Sequence, residues 1–413
     1  MSFEKRWSLS IGGLAIATLL LSLSSSRILQ AKPPVRPNSA PNSTLIQSTD
    51  SLLADVQTLV NFGSREAGTP AAEQASQFLV DAYRKAGYQV EIQTFSYPKY
   101  MDSGSKIIVG EKPLDAWAMI RSIPGKPSGK LVAVPNVGTS EDFATVDVRN
   151  AIAIVKRGEI PFTQKVENAE RAGAIGVVIV NDRSGNVRGT LTATPKIPVV
   201  ALPQTEGTAL IEQAQKMPTT IRLEVNARSQ AIGRNIVAFK PGVTQPRLVI
   251  GAHYDSVADS PGANDNASGT AVVLGLARQL ANTPRSRQVW FVAFDGEEDG
   301  LKGSRAFVAQ AKPEFLKGLR GMVNFDMVGV NDRLQVHGSS SLSSIAKSIH
   351  SPVGSNINGS SDHAAFSAKK VPILFFHRGL DANYHKPNDK VVNSHLLHET
   401  QQTALKVIHE ILK

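Results

Sequence analysis

The run Leu248-Val249-Ile250-Gly251-Ala252-His253-Tyr254-Asp255 decides how this chain is read. Its first five residues are apolar or small, as in a buried strand, and the strand gives out at a histidine and an aspartate. Side chains two apart on a strand share a face, so His253 and Asp255 can meet at one site as the strand ends. In an open α/β sheet, ligands bind beyond the carboxyl ends of the strands. A glycine-rich loop carrying Asp265 follows, then a helix over about 269–281. Three further apolar runs end in the same kind of chemistry. Residues 289–294 lead to Glu297-Glu298, 322–325 lead to Asp326, and 371–376 lead to a loop with His385. Strands alternating with helices predict an α/β fold, a mostly parallel sheet with helices on both faces.

Upstream, Leu52, Leu53, Val56, Leu59 and Val60 repeat at helical spacing. A second helix is expected over 71–86 and a strand over 89–95. Two helices and a strand cannot close a core, so they belong with the sheet resumed at Asn235-Ile236-Val237-Ala238. Between them, 106–226 has another texture: five short β-branched runs, one expected helix over 162–172 and no histidine. It reads as a β-rich, non-catalytic insertion. At the start, Lys5 and Arg6 precede an apolar run from Ile11 to Leu23, the pattern of an export signal. The expected organisation is a signal peptide or membrane anchor at 1–31 and a flexible linker at 32–48. The main domain follows in two parts, 49–105 and 227–413, split by the insertion at 106–226. Localisation is then secreted, periplasmic or at the cell envelope, with a membrane partner only if the signal stays uncleaved.

The 413 residues are enough for two cores, and the net charge of +10 is dispersed rather than clustered. Nucleic acid is therefore not an expected partner. Cysteine is absent, which excludes disulfides, a thiol nucleophile and a lipid-modified cysteine. No GxSxG marks a serine hydrolase, and the loop 261–269 lacks the ending of a phosphate-binding loop. Its glycines are expected to let backbone approach a metal closely.

His253, Asp265, Glu298, Asp326 and His385 offer two imidazoles and three carboxylates, a donor set that suits zinc better than calcium or magnesium. Two metals fit if one carboxylate bridges them. Adjacent glutamates diverge, so one of Glu297 and Glu298 can bind metal while its neighbour faces the reacting water. Asp362-His363 is expected to be a buried, hydrogen-bonded structural pair, and His395, His398 and His409 exposed helix residues.

These residues carry a family resemblance. The chain resembles the co-catalytic di-zinc aminopeptidases, secreted bacterial leucyl-type enzymes and aminopeptidase Y. The likeness runs through Gly63-Ser64-Arg65, Gly68-Thr69-Pro70, Asn235-Ile236-Val237-Ala238, His253-Tyr254-Asp255-Ser256, 261–266, Glu297-Glu298 with Gly303-Ser304, 324–329, Ser361-Asp362-His363 and Tyr384-His385. The insertion is similar to their protease-associated domain. The resemblance implies two zinc ions per chain, with His253 and Asp326 on one, Glu298 and His385 on the other, and Asp265 bridging. It further implies Asp255 as the partner that orients His253, Glu297 as general base, Tyr384 as oxyanion stabiliser and a cis bond after Asp265. Two positions depart from the pattern. Gly275 stands where many relatives have Glu, which implies altered packing, and Asp299 stands where relatives are often apolar, just after the catalytic pair. The expected function is a zinc exopeptidase that removes N-terminal residues from peptides. Its rivals are a carboxypeptidase or aminoacyl cyclase on the same scaffold, and a non-catalytic binding ectodomain. The ectodomain is disfavoured because all five ligands are retained.

Overall fold

The computed structural model describes residues 43–185, 189–349 and 360–413. The stretch 1–31, read as an export signal or anchor, and most of 32–48, read as a linker, lie outside them. Helix α1 (Ser43–Asn61) reaches back into the stretch read as linker, and α2 (Pro70–Lys85) follows, capped by the Thr69 side chain. Strand β1 (Gln89–Asp102) leads into an eight-stranded sheet, β2 (Lys106–Val109), β3 (Lys112–Asp115), β4 (Trp117–Ala118), β5 (Ser128–Ala133), β6 (Ile152–Lys156), β7 (Gly176–Val180), β8 (Val199–Leu202) and β9 (Thr220–Glu224). Strand β10 (Ala227–Phe239) returns beside β1. Then come β11 (Leu248–His253), β12 (Val289–Phe294), β13 (Gly321–Phe325), β14 (Gln335–Gly338) and β15 (Ile373–His377).

The first sheet runs β1-β10-β12-β11-β13-β15-β14. Its four central strands are parallel, as the alternation of strands and helices predicts, and antiparallel strands extend it at both edges. Central parallel strands are buried on both faces, which is why 248–253 reads as an unbroken apolar run. Leu248, Ile250 and Ala252 face a core shared with α1, α2, α6 (Gly269–Leu280), α9 (Ser340–Ser348) and α11 (Ser394–Ile411). Val249 faces the opposite core, with Phe307, Leu316 and Phe366 of α7 (Lys302–Gln310), α8 (Pro313–Gly318) and α10 (His363–Ser367).

Gly275 sits where α6 is crossed by its neighbours. A Cβ there would lie 2.3 Å from Gln401 Nε2 of α11 and 2.5 Å from Leu52 Cδ2 of α1. The missing side chain is thus a packing feature, away from the strand ends.

The inserted sheet runs β3-β2-β9-β5-β6-β7-β8-β4. One helix was expected in it and three are present: α3 (Ser140–Ala144), α4 (Phe162–Arg171) and α5 (Gln204–Lys216). The physical reason is that β5 to β8 are parallel, and parallel neighbours need crossover connections. α3 is only five residues long, and α5 buries few apolar positions, so neither announces itself by periodicity.

Strands β1 and β10 pair from Gln89↔Phe239 out to Asp102↔Ala227, far beyond the 89–95 and 235–238 seen in the sequence. They form a two-stranded ribbon with the inserted sheet at its outer end. Because Asp102 and Ala227 already face each other, replacing 103–226 by a two-residue turn such as Asn-Gly closes a hairpin without moving either strand. The shortened chain should still take up zinc, measured by metal analysis, since His253, Asp265, Glu298, Asp326 and His385 lie outside the deletion. Turnover of long peptides should change more than that of aminoacyl-nitroanilides, and equal changes would mean that the inserted sheet does not filter access.

Candidate metal centre

Four strand ends and two loops build the site. Strand β11 delivers His253 at its last residue. The following loop turns at Gly262, whose φ is +56° and whose Cβ would lie 2.2 Å from Asp265 O and 3.1 Å from an Arg65 nitrogen. The glycines were expected to let backbone approach a metal; here they let backbone approach backbone and a guanidinium. Gly269 does the same against β13, where a Cβ would lie 2.5 Å from Phe325 O. The bond between Asp265 and Asn266 is cis.

Alternate polar residues then stitch this loop to the segment after β13. Asn264 Oδ1 accepts from Gly329 N at 2.9 Å, Asn266 Oδ1 from Met327 N at 3.3 Å and Ser268 Oγ from Val328 N at 3.0 Å. Asp265 and Asp326 are thereby set side by side from two different strand ends.

The geometry around Asp265 is two-sided. Its Oδ1 lies 3.4 Å from His253 Nε2, and its Oδ2 lies 3.2 Å from His385 Nε2. His253 Nε2 is also 3.4 Å from Asp326 Oδ1, and His385 Nε2 is 3.1 Å from Glu298 Oε2. On its other edge His253 Nδ1 stands 3.4 Å from Asp255 Oδ1. Asp255, fully buried, also accepts the backbone N–H groups of Glu297 and Glu298, both at 3.2 Å. One carboxylate therefore orients the imidazole and seats the two glutamates. Tyr384 stacks on His385 with ring centroids 3.7 Å apart, and burial beside the carboxylates pushes its phenol up to about 12.

The charge balance is lopsided. Asp255, Asp265, Glu297, Glu298, Asp326 and Asp362 crowd round two imidazoles and one guanidinium. Burial pushes Glu298 and Asp362 up to about 7 and Glu297 up to about 10. The imidazoles are raised as well, which favours their charged form: His385 is raised to about 10 by its hydrogen bonds to Asp265 and Glu298. Burial pulls His253 down, but Glu297 and Asp326 more than offset it. His253 Nε2, Glu298 Oε1 and Asp326 Oδ1 are buried with no hydrogen-bond partner among the described residues. Excess buried anion and unsatisfied ligand atoms fit divalent cations. Two sets of side chains stand close enough for that, His253 with Asp265 and Glu298, and His253 with Glu297 and Asp326.

Three comparisons bear on this geometry. Residues 235–409 match the model of peptidase family M28, and 127–210 match the PA domain. The chain is 30% identical over 380 residues to the aminopeptidase YwaD of Bacillus subtilis, covering 85% of this chain and 82% of that one. The chain belongs to peptidase family M28. It is 35% identical over 298 residues to a probable lipoprotein aminopeptidase, LpqL of Mycobacterium tuberculosis, a match that spans 68% of this chain and 59% of that protein's length. Among solved structures it resembles BSAP, a zinc aminopeptidase from Bacillus subtilis, with a TM-score of 0.55 and 27% identity over 88% of this chain and 94% of that one. This M28 chain thus shares its family and fold with zinc aminopeptidases, and a PA domain is inserted in it.

Two residues of the M28 site were not given roles in the sequence. Arg65, fully buried, donates to Tyr254 O at 2.7 Å, Gly262 O at 3.0 Å, Leu59 O at 3.2 Å and Pro261 O, and so clamps both ends of the 255–262 loop. Asp389 accepts from Asn264 N at 2.8 Å and Asp265 N at 3.0 Å, which ties the His385 loop to the Asp265 loop. The signal for Arg65 was a charged residue between two amphipathic helices at a position where neither helix needs one. Nothing in the local pattern marked Asp389. The expected Asp362-His363 pair separates: Asp362 turns into the site, while His363 stacks on Phe375 at 4.4 Å and lies 3.4 Å from Asn324 Nδ2. His395 is exposed, but His398 and His409 are half-buried.

Proposed function

We propose that two zinc ions are held here, one by His253 and Asp326 and the other by Glu298 and His385, with Asp265 shared between them, and that the protein removes N-terminal residues from peptides. The observation that supports this best is Asp265 itself, whose two oxygens point to two different imidazoles. Zinc so bound supplies Lewis acidity and lowers the pKa of water.

The chain's own groups do the rest. Asp255 holds His253 through Nδ1 and leaves Nε2 free to donate its lone pair. Glu297 is buried beside Asp326 and Asp362 and holds a proton tightly. Positive charge at the neighbouring ligands lowers that affinity, so its carboxylate can take a proton from the attacking water and return it to the leaving amine. Tyr384, protonated at neutral pH, donates to the oxygen on which negative charge develops. The exported location is part of the same proposal and rests on the apolar N-terminal run; among the described residues no helix is long and apolar enough to cross a membrane. With no cysteine in the sequence, lipid attachment of the kind named for the mycobacterial relative is not proposed.

Peptides blocked at one end test the reading. A peptide with a free amino terminus and an amidated carboxyl terminus should be shortened, and the same peptide N-acetylated with a free carboxyl terminus should resist, as followed by mass spectrometry. Shortening of the acetylated peptide from its carboxyl end would favour the carboxypeptidase instead.

A further inference from the structure

The two glutamates sit on a tight turn, 296–301. Glu297 O accepts from Gly300 N and Leu301 N, both at 2.8 Å, and Gly296 O accepts from Lys302 N at 2.8 Å. On its inner side the turn hangs from Asp255. On its outer side it is held by Asp299, one of the two positions that depart from the resemblance. Asp299 Oδ2 accepts from the Tyr97 hydroxyl and from Lys99 Nζ at 2.6 Å, and Lys99 Nζ lies 3.0 Å from Glu66 Oε1. The usual reason for an aspartate just before a helix is absent, because no side chain caps the start of α7.

Tyr97 lies just before an irregularity and Lys99 lies within it. The register of β1 against β10 shifts between Pro98 and Met101, a bulge in the ribbon that carries the inserted sheet. A small separate core of Ala67, Tyr97, Met101 and Ala231 beds this bulge on the 63–70 turn. Just beyond it, Asp102 faces Ala227 and the insertion begins. The bulge is thus bonded directly to the turn bearing Glu297.

We infer that Asp299 is a positioning residue: with Tyr97 and Lys99 it ties the Glu297-Glu298 turn to the ribbon bulge, so that the seat of the inserted sheet sets where Glu297 stands. The inference rests on Glu297 being the base. A partly exposed ion pair adds little to stability, whereas a base displaced by about 1 Å can lose on the order of a hundredfold in rate. Turnover should therefore respond to this contact more than folding does.

Asp299→Asn, Lys99→Met and the double variant, each in the full-length chain with zinc, separate the two. Each single variant should lower kcat on an aminoacyl-nitroanilide by roughly ten- to a hundredfold. Zinc content and Tm should stay near those of the unmodified chain, and the double variant should be no slower than the worse single one, since both cut the same link. Unchanged kcat, a loss that tracks zinc content or Tm, or additive losses would overturn the inference. Amide hydrogen exchange gives a second measure that needs no activity. Protection at 296–301 should fall in Asp299→Asn, and unchanged protection overturns the inference. An unmodified chain that is inactive on aminoacyl substrates would instead count against the proposed function, and exchange alone would then decide the role of Asp299.

Discussion

Glu297→Gln should keep its zinc and lose turnover by roughly 10²–10⁴-fold, the range of a positioned acid–base group, with little change in KM. Glu298→Gln should instead lose zinc, and its defect should be partly restored by excess metal. The two side chains leave the same turn under the same anchor, Asp255, yet meet different partners. Glu298 lies 3.1 Å from His385 and has its other oxygen buried without a hydrogen-bond partner among the described residues, as a ligand requires. Glu297 stands near His253 and Asp326, close enough that a metal bound there could also reach it. That proximity is what makes the experiment decisive. A base acts only along the reaction coordinate, whereas a ligand also acts in the resting protein, where metal content reports it. Equal zinc loss in both variants, or near-normal turnover in Glu297→Gln, would end this division of labour.

Removing the metal should abolish hydrolysis, and adding zinc back should restore it, with full activity at about two ions per chain. Asp265→Asn should weaken both ions together, because its two oxygens lie 3.4 Å and 3.2 Å from the two imidazoles; Glu298→Gln should weaken one. Metal analysis after dialysis against a chelator distinguishes the two patterns. The pH dependence has a definite sign. A protonated imidazole cannot donate to a metal, and the surrounding carboxylates raise both His253 and His385 above the ordinary histidine range. Zinc must displace those protons, so its uptake should be weaker at pH 6 than at pH 8, with proton release on binding. Full activity in zinc-free protein would overturn the proposed site and mechanism.

The legible part of this protein was the part written locally. Periodicity and buried apolar runs placed β11, β12, β13 and the helices on both faces of the sheet. Acidic and imidazole residues at the ends of those runs placed His253, Asp265, Glu298, Asp326 and His385 in one region, because parallel strands all end on the same side. The inserted sheet was legible as a different texture but not in its connections, since parallel pairing among β5 to β8 depends on partners far away in the chain. Contacts across more than a hundred residues left no local trace. Asp389 grips the backbone of Asp265 through hydrogen bonds to main-chain N–H groups, and a main-chain partner has no residue type to recognise. Arg65 likewise donates to backbone carbonyls, so its lone charge between two helices did not say what it would bind. Asp299 is the clearest case: in the sequence it is an odd acid after a catalytic pair, and only the folded ribbon brings Tyr97 and Lys99 to it. The composition and order of the strand ends determined which groups could bind metal, while the tertiary structure decided which groups hold them in place.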